Sequence, residues 1–64
     1  AAHRAGTREV FHVLEGSIEV FTAQEQVLLH AGDTATLVVD SEHRLANASG
    51  QPARLLLLVL SPPL

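Results

Sequence analysis

Cysteine is absent from the 64 residues. No disulfide can staple the fold, and no thiolate can bind metal or attack a substrate. Lysine is absent too. The basic residues are Arg4, Arg8, Arg44 and Arg54, scattered along a chain of net charge −3. Dispersed cations do not track a phosphate backbone, which argues against nucleic-acid contact by this segment. The aromatics are Phe11 and Phe21 alone, so a base-stacking platform is missing as well. The longest apolar run, Leu55 to Leu60, is far too short to span a bilayer. The first residues, AAHRAGTREV, contain no apolar stretch of signal-peptide type. A cytoplasmic protein is the expectation, and the lack of cysteine agrees with it.

What is present is apolar for so short a chain. Hydrophobic residues make up 47% of the sequence, well above a disordered composition. A chain of this length buries only about 60% of its unfolded surface and is marginal alone. One domain over residues 1–64 is expected, as part of a longer protein, as a dimer, or both.

Six strands are legible, with turn signals between them. EVFHVLE (Glu9–Glu15) is Val- and Phe-rich and stops at Gly16. SIEVFT (Ser17–Thr22) alternates, with Ile18 and Val20 on one face and Glu19 and Phe21 on the other. Glu15-Gly16 between them reads as a hairpin. QVLLH (Gln26–His30) closes at Ala31-Gly32-Asp33, and TATLVV (Thr34–Val39) follows. A turn at Asp40-Ser41-Glu42 leads to a fifth strand, His43 to Ala48. Beyond a Gly- and Pro-containing loop, RLLLLVL (Arg54–Leu60) is the sixth. Periodicity cannot separate strand from helix in that run, but its length and the flanking Pro52 and Pro62-Pro63 favour strand. As a strand it should be buried on both faces. Left uncovered it would be an aggregation hazard. Short strands at regular spacing, with no helical period, read as an all-β sandwich or barrel.

Two spacings stand out. Glu9 is followed by six residues and then Gly16. Gly32 is followed by five residues and Val38, then Asp40, His43 and Asn47. Together with His3 this pair of motifs resembles the cupin superfamily, over nearly the whole chain. The family's first motif is His-x-His, three or four residues, Glu, six residues, Gly. Its second is Gly, five residues, Pro-x-Gly, two residues, His, three residues, Asn. His3, Glu9 and His43 fall on family ligand positions, whereas Ala5 stands at the second histidine, Val38 at the proline and Asp40 at the glycine.

The resemblance implies an antiparallel double-stranded β-helix, the cupin jelly-roll barrel, of which a complete example has more strands than the six counted here. It also implies a site at the barrel mouth. His3, Glu9 and His43 would fix the polar end of a ligand, and Phe11, Val13, Leu37 and Leu45 would supply apolar walls. Two imidazoles and a carboxylate are also the donor set of a facial-triad site, so His3, Glu9 and His43 are candidate ligands for one divalent Fe, Mn, Ni or Zn. With one ligand position lost at Ala5, a pocket without metal is the leading expectation. His12, three residues from Glu9, should face away from it, His30 should be solvent-exposed, and Arg8 and Arg44 should point away from the site.

The stretch His3 to Glu9, the aspartate before His43, and Pro52-Ala53-Arg54 further resemble the sensor cupin that follows a helix-turn-helix in XRE-type transcriptional regulators. That likeness implies a small-molecule effector, DNA contact only through an upstream domain, and a homodimer without membrane contact. Two alternatives stand beside it. One is a metal-dependent dioxygenase or isomerase. The other is a ligand-free dimeric barrel whose apolar sheet is an interface. Ser17, Ser41, Ser49 and Ser61 sit in no nucleophile-elbow pattern, so serine hydrolysis has no support.

Overall fold

The computed structural model describes residues 5–39 and 41–63. It contains six strands: β1 (Arg8–Glu15), β2 (Ser17–Phe21), β3 (Gln26–His30), β4 (Thr34–Val38), β5 (Arg44–Ala46) and β6 (Arg54–Leu60). They form two antiparallel three-stranded sheets, ordered β4-β1-β6 and β3-β2-β5. The all-β expectation holds, and this pair of sheets fits a jelly-roll barrel.

Each sheet's inner face follows from side-chain alternation. On β1, Glu9, Phe11 and Val13 point inward and are buried. Ile18 and Val20 do so from β2, Leu29 from β3, and Leu37 from β4, with Val39 just beyond it. These seven apolar side chains form one core, extended by Val27, Ala35, Ala53 and Leu55. Burying each contributes roughly 1.5–3 kcal/mol.

The Glu15-Gly16 hairpin is not formed. β1 pairs with β4 and β6, and β2 pairs with β3 and β5. Gly16 is instead the corner where the chain crosses from one sheet to the other. Its φ is +73°, and a Cβ there would lie 2.4 Å from the Pro52 carbonyl oxygen. The sequence signal for a tight turn was real, but a corner between sheets needs the same residue as a hairpin. Just before it, the β1–β6 register shifts between Val13 and Glu15. Leu14, on the outward row of β1 with Val10 and His12, is 46% exposed.

β6 is a strand, as expected, but it is not buried. Leu56 to Leu60 are each about half exposed. β6 is an edge strand of its sheet, paired with β1 on one side only among the described residues. The inward residues Leu57 and Val59, opposite Phe11 and Glu9, are left half open. β5 is shorter than the sequence suggests because Asn47 to Ser49 turn away into a loop. In that loop the Asn47 side chain donates to Gln51 O (2.6 Å) and accepts from Ser49 N (3.1 Å).

Candidate functional site

Glu9 enters the site from the inward row of β1, between Leu37 of β4 and Val59 of β6. β1 is the central strand of its sheet, so Glu9's backbone is paired on both sides. His43 lies one residue before β5. The register Val20↔Leu45 fixes Leu45 inward, and alternation carries His43 to the same side. The outcome is a contact between the sheets, with His43 Nε2 3.6 Å from Glu9 Oε1. Their side chains are only 12% and 6% exposed. On its other side the imidazole meets Ser41 O, with Nδ1 at 3.3 Å. A proton on Nδ1 would be donated to that carbonyl and leave Nε2 as an acceptor. With both nitrogens protonated, the ring faces the Glu9 carboxylate as a cation. A carboxylate and an imidazole held in a nearly dry mouth can orient a ligand hydroxyl or carboxyl group, or exchange a proton with it.

The other expected residues divide. Phe11 and Val13 are fully buried, and Leu37 is nearly so, within the packed core. Leu45 is 42% exposed on the inward face of β5. His3 lies outside the described residues, as does Asp40. His12 faces away from Glu9 as expected, its Nδ1 2.7 Å from the Thr34 hydroxyl. His30 is solvent-exposed, and its Nδ1 lies 3.8 Å from Asp33 Oδ2.

The sequence reading missed the cavity beside the pair. An open hollow of about 470 Å³ is lined by Phe21, Thr22, Ala23, Glu42, His43 and Arg44. Its volume lies within the range of small-molecule pockets. His43 belongs to both the hollow and the buried pair. The Arg44 guanidinium stacks on Phe21, 3.9 Å from the ring centroid, because the two are cross-strand partners on the outer face. The sequence carries no local signal for this, because Phe21 and Arg44 share a face only once β2 and β5 are paired.

Among the described residues, no group of three His, Cys, Asp or Glu side chains could hold a metal ion. Glu9 and His43 supply two donors, fewer than the three of a facial triad. The expected third, His3, lies outside the described residues.

The family model described as Cupin domain matches residues 1–59. No curated protein and no solved structure matches.

Proposed function

The chain belongs to the cupin domain family, and on that premise we propose that it is a small-molecule-binding module, the sensor domain of a transcriptional regulator. One observation carries this reading. The nearly buried Glu9–His43 pair shares His43 with an open cavity of about 470 Å³. An effector in that cavity reaches the imidazole first. Its polar group competes with Glu9 for Nε2, and its body rests against Phe21 and the Arg44 stem. The ligand's effect comes from differential affinity for two arrangements of the whole regulator. In this reading DNA contact belongs to an attached DNA-binding domain and not to this segment, whose arginines are dispersed. The protein acts in the cytoplasm. No described helix is long and apolar enough to cross a membrane.

A metal-dependent cupin enzyme with His3, Glu9 and His43 as ligands is the second reading. One distance favours it. Donor atoms 3.6 Å apart can both reach one ion at about 2.1 Å. The experiment separating the two is an NMR titration of the metal-stripped chain. Small carboxylic acids and monosaccharides are added first, then Mn²⁺, Fe²⁺, Ni²⁺ and Zn²⁺ one at a time. The sensor reading expects an organic ligand to shift His43, Arg44 and Phe21 without metal, and His43→Ala to abolish the shift. Stoichiometric metal that is lost in His43→Ala overturns it in favour of the enzyme. No response to either class leaves the ligand-free barrel.

A further inference from the structure

The hollow beside His43 opens where β2 and β5 part. Phe21 and Arg44 are the last pair of that ladder, and the hollow is walled by Phe21 to Ala23 on one side and Glu42 to Arg44 on the other. Its two walls are therefore held together by formed strand pairing. They carry one acid and one base, Glu42 and Arg44. Among the described residues no ion pair joins these two, and neither pairs with another charge. The guanidinium lies over the Phe21 ring, 3.9 Å from its centroid. That stack uses the face of the group and leaves the N–H fork to donate. Thr22 adds a second donor. Its Oγ1 accepts from Gln24 N (3.2 Å) and Glu25 N (3.0 Å), which occupies the lone pairs and leaves the hydroxyl proton for a ligand. Glu42 is an acceptor. In the tautomer that donates Nδ1–H to Ser41 O, His43 adds another acceptor at Nε2.

We propose that the ligand of this hollow is a free α-amino acid. Its carboxylate takes the Arg44 fork and the Thr22 hydroxyl, and its ammonium takes Glu42 and His43 Nε2. The inference rests on the hollow being the effector site, and it names the class of that effector. Charge selects the class. A dicarboxylate meets a like charge at Glu42 and a diamine meets one at Arg44, whereas a sugar leaves both charges without a counterion. Spacing agrees. Glu42 and Arg44 are two residues apart, no more than ~7 Å along the chain. Two ligand charges that flank a single carbon, with a charge-assisted bond of about 2.8 Å at each end, span ~8 Å.

NMR titration of the 64-residue chain with three matched trios tests this. Alanine, leucine and phenylalanine are each compared with the acid that lacks the amino group (propionate, isocaproate, hydrocinnamate) and the amine that lacks the carboxylate (ethylamine, isoamylamine, phenethylamine). The amide shifts of Phe21, Glu42, His43 and Arg44 give Kd. At least one amino acid should bind about fivefold or more tightly than both of its analogues. Glu42→Gln should erase the preference over the acid, and Arg44→Gln the preference over the amine. Both residues are exposed, so neither substitution threatens the fold. An analogue that matches its amino acid in all three trios overturns the proposal and leaves the effector site standing. A preference that survives either substitution also overturns it, because the amino acid then sits elsewhere. Monosaccharides that shift His43 where none of these compounds does overturn it as well, again without touching the effector site. No shift from any organic compound removes the effector site and this proposal together.

Discussion

Replacing Gly16 by alanine should be among the most damaging single-methyl additions available to this chain. Two costs add. The backbone holds φ at +73°, which costs an L-residue roughly 1–2 kcal/mol. The new Cβ would also sit 2.4 Å from Pro52 O and 3.1 Å from Ala53 Cα, so main chain has to move. Forced overpacking of this kind costs a further ~1–3 kcal/mol. The sum, about 2–5 kcal/mol, compares with a total stability of roughly 3–10 kcal/mol at 0.05–0.15 kcal/mol per residue. Gly32→Ala is the reference, because its φ is +92° but nothing lies within 4 Å of its added Cβ. Gly32→Ala should therefore show only the backbone cost. Urea titrations followed by circular dichroism measure both variants. The difference should be about 1–3 kcal/mol, or a gap of several degrees up to about 20 °C in Tm for a domain this small. The Asn47 loop gives a second check. Asn47 holds Gln51 and Ser49, and with them the approach to Pro52. In an Asn47→Ala background the loop can retreat, and Gly16→Ala should cost less than it does alone. Equal costs for Gly16→Ala and Gly32→Ala would refute the corner argument.

Three further outcomes follow from the same contacts. Phe11→Ala removes the largest fully buried side chain and should cost about 3–5 kcal/mol, leaving much of the protein unfolded in a urea titration at 25 °C. His43→Ala takes an imidazole away from a carboxylate that is only 6% exposed, and should lower stability by about 1–3 kcal/mol. Glu9→Gln should cost less, and a double-mutant cycle on the two positions should return a nonzero coupling. Arg44→Lys keeps the charge but loses the planar stack on Phe21, so it should cost under about 1 kcal/mol and change the NMR shifts of the Phe21 ring.

The strands were legible because period-2 alternation and turn residues are local properties. Gln26–His30 and Arg54–Leu60 match to the residue, and β1, β2 and β4 differ by one residue at an end. Pairing was not legible. Gly16 signals a reversal of direction, yet whether the next strand pairs with its predecessor or crosses to another sheet is decided by what covers β1. Here β4 and β6 take both of its edges. Exposure of β6 was misread for a related reason. An apolar run shows what a strand could bury, while burial itself depends on where the strand falls in its sheet, and β6 falls at an edge. At the site, the meeting of Glu9 and His43 was implied by the family resemblance, and the two side chains do approach to 3.6 Å. The Phe21–Arg44 wall was not legible, since it needs the β2–β5 register.

The two motifs are physically a single corner structure, and this bears on how their departures should be read. Gly16 O accepts a hydrogen bond from Ala31 N (3.0 Å), and Gly32 N donates one to Val13 O (2.8 Å). The end of the first motif is thus tied by backbone bonds to the start of the second. The fifteen residues between the glycines are spent on the β2–β3 pair, whose register runs from Ser17↔His30 to Phe21↔Gln26. Motif spacing is therefore fixed by folding, whatever the chemistry at the mouth. Glu9 and His43 meet because the frame puts them there. Ala5 and Val38 can depart from the ligand pattern without disturbing either backbone tie, because neither glycine's hydrogen bond involves them. A chain can keep the whole frame and alter the donor set, and this one retains a carboxylate–imidazole pair beside an open cavity. With His3 outside the described residues, that pair supplies two of the three donors a facial triad uses, and two polar atoms that can orient an organic group.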